Sequence, residues 1–155
     1  MNDITHARVR LSQMLELAIK ELNNLNQTDS RLFAKPFTAA SANELPNNPE
    51  LGERVEAFVA RFGRLQDALG NKLIPTYLAA SGETPATFIE NLDRAERLGL
   101  VADAQKWIDI RQLRNQMGHE YGSDPTTLAS ALNAAHGFIP NLAEVAQSLR
   151  EHTGL

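Results

Sequence analysis

The chain has 155 residues, of which 15 are lysine or arginine and 19 are aspartate or glutamate, so its formal net charge is -4. This length predicts a single domain over residues 1–155, and the 43% of hydrophobic residues excludes a wholly disordered chain. Because the chain contains no cysteine, disulfide scaffolds, thiol nucleophiles and cysteine-held zinc or iron–sulfur sites are excluded. The mild acidity argues against a protein that coats nucleic acid in bulk, so any chemistry on a polyanion must be local.

Targeting signals are not evident in the sequence. Residues 1–6 lack the basic-then-apolar pattern of a signal peptide, and no apolar run reaches the ~18–20 residues of a membrane span. We therefore expect a cytoplasmic protein with no membrane partner. The hydrophobic residues recur instead with helical spacing over most of the chain.

Five principal helices are predicted, and strand signals are nearly absent. The first helix runs from residue 5 to about residue 25, where three asparagines weaken the apolar pattern and end it. Residues 27–49 are predicted to be a connection with one short helix inside, because prolines and an Asn-Asn pair interrupt this stretch. A long helix follows from residue 50 to about residue 80, and two glycines and a proline are expected to weaken or kink it.

The last three helices have clearer ends. The pair Thr84-Pro85 predicts a helix start, and Gly99 is placed where a left-handed residue ends a helix. The next helix is predicted over residues 102–121, and the last begins at Asp124-Pro125 and is expected to kink at Pro140. Short connections between such helices predict an all-α, antiparallel up-and-down bundle of four to five main helices.

The histidines and glycines do not form the usual metal or nucleotide motifs. No two of the four histidines lie within one helical turn, and none follows a glutamate by three residues as in a di-iron bundle. The phosphate-binding glycine motifs and the serine-hydrolase motif are absent as well. We therefore expect neither a metal nor an organic cofactor.

One segment, Arg111–Gly122, concentrates polar side chains of several chemical types in about three helical turns. Asn115 and His119 share a helix face, whereas Arg114 lies about 140° round the helix from His119. Histidine can take and return a proton near neutral pH, and a guanidinium suits phosphate oxygens and their developing charge. The pair can therefore deprotonate an RNA 2′-hydroxyl and stabilise the transition state without a metal. On these residues alone, the alternative stays open that His119 caps a helix and Arg114 pairs with a carboxylate.

The residues Arg114-Asn115-Gln116-Met117-Gly118-His119-Glu120-Tyr121 fit the pattern R-N-x-x-x-H-x-Y. This segment resembles the signature of the HEPN superfamily, specifically its HepT-like branch, and residues 61–67 and 92–111 are also similar to that branch. The resemblance covers roughly the last two thirds of the chain. It implies a single HEPN-like helical domain that forms a homodimer, in which the motif helices of two subunits face each other across one composite cleft.

The resemblance also implies an activity and a partner. Many members are metal-independent endoribonuclease toxins, so Arg114 and His119 are carried over as catalytic residues and Asn115 as a residue that orients or polarises. A cognate nucleotidyltransferase would act as antitoxin by attaching AMP to Tyr121, which places negative charge on the Arg114 side of the helix. Other relatives are the substrate-binding partner of the nucleotidyltransferase. A non-catalytic binding or regulatory subunit is therefore the alternative, and a plain helical interaction module is the third hypothesis.

Charged residues outside the motif leave two interpretations open. Arg61, Arg64 and Asp67 lie at three-residue spacing on the long helix. Either Arg61 and Asp67 line the cleft, with Asp67 holding an arginine, or the three form an exposed ladder of ion pairs. Arg111, one turn before the motif arginine, either adds attraction for phosphate or is an ordinary surface residue. Trp107 is expected in the core or at a dimer contact rather than stacked on a base.

Overall fold

The computed structural model describes the backbone of residues 2–120 and 124–154 and the side chains of residues 6–117 and 124–154. Within these ranges the regular structure is helical and contains no strand, which confirms the all-α prediction. The α-helices of the described ranges are α1 (Asn2–Leu32), α2 (Ala39–Asn43), α3 (Pro49–Gln66), α4 (Ile74–Ala80), α5 (Phe88–Arg97), α6 (Ala104–Glu120) and α7 (Pro125–Thr153). A 3₁₀ turn spans Leu45–Asn47, and a π-helical segment, Asp67–Leu73, joins α3 to α4.

Helix α1 continues past its predicted end near Leu25 and stops at Leu32, so the prediction that the asparagines end it is wrong. Asparagine disfavours a helix interior only weakly, by roughly 0.7 kcal/mol or less relative to alanine. Leu25, Thr28 and Leu32 are all buried, and their packing outweighs this local preference. The connection that follows contains the predicted short helix, α2, which Thr38 caps by accepting a hydrogen bond from the Ser41 N–H.

The long segment predicted over residues 50–80 is helical along its whole length. It begins with Asn48 accepting a hydrogen bond from the Leu51 N–H at 3.1 Å, and Pro49 occupies the first helical position. The expected weakening takes the form of the π-helical segment, in which the Ile74 N–H bonds to the carbonyl of Leu69, five residues back. The apolar stripe of this segment is fully buried at Val55, Phe58, Phe62, Leu65, Leu69, Leu73, Ile74 and Leu78.

Helix α5 begins later than the pair Thr84-Pro85 predicts. Its cap is Thr87, whose side chain accepts a hydrogen bond from the Glu90 N–H at 3.2 Å. The buried carboxamide of Asn91 accepts from the Ala86 N–H at 2.8 Å and donates to the Ala86 carbonyl. These two bonds hold the backbone before Thr87 in a non-helical conformation, so Pro85 lies in the connection rather than at the first helical position.

The remaining predicted ends agree closely with the structure. Gly99 has a φ of 76°, the left-handed conformation that glycine adopts without strain after a helix. Helix α6 starts at Ala104, whose N–H donates to the carboxylate of Glu96 at 2.6 Å. Helix α7 starts at Pro125 with Asp124 as its cap, as predicted, and it stays helical on both sides of Pro140.

Neighbouring helices pack antiparallel. The start of α1, at His6 and Arg10, lies beside Thr76 of α4, whereas Arg31 near the end of α1 lies beside Arg54 at the start of α3. The segment after Pro49 and α6 also run in opposite directions. Gly63 lies against Arg114 late in α6, whereas Gly70, further along the chain, lies against Trp107 early in α6.

The buried apolar side chains form a hydrophobic core cluster to which all the long helices contribute. Trp107 is only 2% exposed, so it belongs to this core. No helix in the described part of the chain combines the length and the apolar character needed to cross a membrane.

Candidate functional site

Arg114 lies in the second half of α6, and its guanidinium pairs with the carboxylate of Asp67. The Arg114 Nη2 donates to Asp67 Oδ2 at 3.0 Å, and each side chain is 35% exposed. Asp67 thus holds an arginine, as one of the two interpretations predicts. The ion-pair ladder is wrong, because Arg64 makes no ion pair with Asp67 and is itself exposed.

Gly63 of α3 lies directly against the side chain of Arg114. A Cβ atom built on Gly63 would lie 3.5 Å from Arg114 Nε and 3.7 Å from its Cγ and Cζ atoms. The arginine therefore rests on the backbone surface of α3, and its Nε is buried without a hydrogen-bond partner. One face of the guanidinium is covered by α3, and one of its nitrogens is removed from solvent.

Among the described residues, nothing but Asp67 accepts a hydrogen bond from the two Nη atoms of Arg114, which leaves donors for an anion. An arginine offers five N–H donors in a planar fork, and Asp67 takes one of those on Nη2. In the described part of the chain, Asp67 is the only acceptor that Arg114 contacts. The two hydrogens of Nη1 and the second hydrogen of Nη2 remain, and together they match two oxygens of a phosphate.

Asn115 and the backbone of His119 share α6 with Arg114. Asn115 is exposed, and it lies four residues before His119 on the same helix face. The backbone of His119 lies in α6, about 7.5 Å along the helix axis from Arg114 and about 140° round it. The side chain of His119 and the whole of Tyr121 lie outside the described part of the structure.

Arg111 and Arg61 make contacts away from the Arg114–Asp67 pair. The Arg111 guanidinium stacks on the ring of Phe88 in α5, with its carbon 4.2 Å from the ring centroid. Arg61 donates to the hydroxyl of Thr28 and, at 3.1 Å, to the carbonyl of Asn24, both in α1. The structure therefore brings Asp67 together with Arg114, but it places Arg111 against α5 and Arg61 against α1.

The start of α7, directly after the motif segment, carries the described group whose pKa is perturbed. The Thr127 hydroxyl donates to the Asp124 carboxylate at 2.7 Å and holds the pKa of Asp124 below its ordinary value of 3.8. The backbone N–H groups of Thr126 and Thr127 lower this pKa further. Asp124 therefore stays ionised at neutral pH and caps the first turn of α7.

Two contributors to the site were not singled out from the sequence. From the sequence, Gly63 is expected to weaken the helix and lies in the HepT-like stretch 61–67, but it is not assigned to the site; its spacing of seven from Gly70 is typical of a helix face that lets another helix approach closely. Asn71 donates to Asp67 Oδ1 at 3.0 Å, and its position four residues after Asp67 is the usual spacing for such a pair. The described residues contain no group of three or more histidine or acidic side chains placed to hold a metal ion.

Comparison of the chain with protein-family models, with curated proteins and with solved structures finds no match. The fold and the geometry around Arg114 are therefore the structural observations that bear on function. The short motif that begins at Arg114 adds the resemblance described above.

Proposed function

We propose that the chain is a metal-independent endoribonuclease toxin whose active site is completed by a second copy across a homodimer interface. Arg114 would bind the scissile phosphate and stabilise the charge of the transition state, and His119 would act as general base and general acid. The observation that carries the proposal is that Arg114 is held by its neighbours and keeps hydrogen-bond donors for a substrate. Asp67 and Gly63 hold it in place, and it still has hydrogen-bond donors to offer.

The reaction that fits these residues is an internal transfer at phosphorus. His119 removes the proton of an RNA 2′-hydroxyl, and the 2′-oxygen attacks the neighbouring phosphorus atom. The bond from phosphorus to the 5′-oxygen breaks, and an imidazolium returns a proton to that oxygen. The products are a 2′,3′-cyclic phosphate and a free 5′-hydroxyl, and no water or metal enters this step.

Helix geometry supports a composite site. On one α6 helix, Arg114 and His119 differ by about 140° in direction and by about 7.5 Å in height. A phosphate bound at Arg114 therefore meets a histidine more readily if a second α6 helix lies across from the first. A two-fold axis would also double the guanidiniums around the substrate, which offsets the net charge of -4 locally.

Cleavage of a single-stranded RNA by the purified protein in EDTA tests the activity. We expect products with cyclic phosphate ends, no cleavage by His119→Ala, and a rate lower by about 10²–10³ for Arg114→Ala. Arg150→Ala is the matched control, because Arg150 is an exposed arginine on α7. A substrate with 2′-deoxy sugars should resist cleavage. Equal cleavage by wild type and His119→Ala would overturn the proposal and indicate a contaminating nuclease.

The proposed regulation is the attachment of AMP to Tyr121 by a partner nucleotidyltransferase. Tyr121 follows Arg114 by seven residues, and a spacing close to two helical turns would put both on one side of a helix. An AMP there would bring a negative charge beside the guanidinium that should bind RNA. Tyr121→Phe should keep ribonuclease activity and lose sensitivity to the partner. Labelling of that variant by the partner would refute the assignment, and co-purification without any RNA cleavage would favour a non-catalytic subunit.

A further inference from the structure

Both oxygens of the Asp67 carboxylate are engaged, and the two donors come from different parts of the chain. Arg114 Nη2 from α6 lies 3.0 Å from Oδ2, and Asn71 Nδ2 lies 3.0 Å from Oδ1. Asp67 and Asn71 both belong to the π-helical segment between α3 and α4. Asn71 is exposed, and its side chain donates to Asp67 rather than to Arg114.

We infer that Asn71 is a positioning residue for the proposed ribonuclease, acting on Arg114 through Asp67. The inference rests on the proposed function, since it assigns a role only if Arg114 meets the substrate. An aspartate that is 35% exposed can turn its carboxylate towards water. A donor on Oδ1 opposes that rotation and keeps Oδ2 aimed at the guanidinium.

The contacts of Arg114 limit which of its donors can meet a substrate. Arginine can present either an edge formed by Nε and one Nη nitrogen or the edge formed by both Nη nitrogens. Nε is buried over Gly63 without a partner, so the first edge is not accessible. Asp67 occupies one hydrogen of Nη2, so the donors left for phosphate oxygens are the two hydrogens of Nη1 and the second hydrogen of Nη2.

The competing explanation is that Asn71 and Asp67 form an ordinary surface pair on a helix. Such a pair contributes so little to stability that its loss should shift Tm by about 2 °C or less. A positioning role instead predicts an effect on catalysis that is out of proportion to any effect on stability. The two explanations therefore differ in how large the loss of catalysis is compared with the loss of thermal stability.

The experiment compares wild type with Asn71→Leu, which removes the donor at similar size, and Asn71→Gln, which keeps a donor that can reach Asp67. Asn26→Leu is the matched control, because Asn26 is an exposed asparagine on α1 with no hydrogen bond from its side chain. For each protein we would measure kcat and KM on single-stranded RNA, the Tm, and the NMR signal of the Arg114 Nε–H group.

We expect kcat of Asn71→Leu to fall by about tenfold, less than for loss of Arg114 itself, with KM changed by less than about twofold. The Arg114 Nε–H signal should shift in this variant, and Asn71→Gln should restore both kcat and the signal. An unchanged kcat in Asn71→Leu, or no rescue by Asn71→Gln, would overturn the inference.

The spectroscopic readout separates this inference from the proposed function. If wild type does not cleave RNA, the proposed function fails, and the Arg114 signal then decides whether Asn71 positions that side chain. An unshifted signal in Asn71→Leu refutes the positioning. A shifted signal that returns in Asn71→Gln supports it independently of the reaction.

Discussion

Two buried glycines on one face of the α3–α4 segment should respond in opposite ways to the same substitution. Gly63 and Gly70 both face α6, but their surroundings differ. A Cβ on Gly63 would meet Arg114 atoms at 3.5–3.7 Å, which is ordinary van der Waals contact. A Cβ on Gly70 would meet Gln66 Nε2 at 3.1 Å, Trp107 at 3.2 Å and Phe88 at 3.4 Å.

The magnitude follows from two opposing effects. Replacing glycine by alanine inside a helix gains about 0.8–1 kcal/mol. Gly63→Ala should keep this gain and raise Tm by roughly 2–4 °C. At Gly70 the new methyl group would lie 3.2 Å from the ring of Trp107, which is 2% exposed, and such overpacking costs about 1–3 kcal/mol. We therefore expect Gly70→Ala to be less stable than wild type by about 1 kcal/mol, with Tm lower by roughly 2–4 °C.

Thermal unfolding followed by far-UV circular dichroism measures both effects, and urea unfolding gives the free energies. Gly137→Ala supplies the reference, because Gly137 lies inside α7 and a Cβ there meets no atom within 4 Å. Gly63→Ala should match this reference. A Gly70→Ala variant as stable as the other two would refute the close packing of α6 on the π-helical segment.

Three further substitutions test other parts of the structure. Trp107→Ala should destabilise the protein by about 3–5 kcal/mol in urea unfolding, because it removes the largest buried side chain of the core. Arg61→Met should lower Tm while leaving ribonuclease activity near wild type, since Arg61 links α3 to Thr28 of α1 rather than to Arg114; a large loss of activity at unchanged Tm would contradict this placement. For Asp124, whose pKa is lowered by the Thr127 hydroxyl, the stabilisation is present above pH 4 and is lost as the pH falls through the folded-state pKa. Asp124→Asn should therefore show a weaker loss of Tm on acidification than wild type, and an identical pH profile would count against the cap.

The parts of the fold that the sequence predicted correctly depend on local chemistry. Asp124 followed by Pro125 starts a helix, and Gly99 ends one, because each needs only its own backbone conformation and nearby N–H or carbonyl groups. The end of α1 was missed because Leu32 is held by the core, which lies beyond the reach of a local pattern. The start of α5 was missed because Asn91 bonds to the backbone of Ala86.

In the candidate site, too, local features were predictable from the sequence and contacts between distant residues were not. The order of residues in α6 predicts which side chains share a face, since helical spacing alone determines it. The Arg114–Asp67 contact joins residues 47 positions apart, so the sequence could name Asp67 as a partner for some arginine but could not choose between the two interpretations. Asn71 became relevant only once Asp67 was known to face α6.

The π-helical segment changes how the two halves of the long helix are phased. A turn closed by a bond to the fifth preceding residue contains one residue more than an α-helical turn. Every side chain from Ile74 onward is therefore rotated relative to an uninterrupted continuation of α3. Residues 49–67 can thus direct Gly63 and Asp67 towards α6 while Ile74 and Leu78 still point into the core. The segment thus accommodates one extra residue between these two faces, so deleting one residue within 67–73 should restore regular α-helical turns and keep both faces directed as they are.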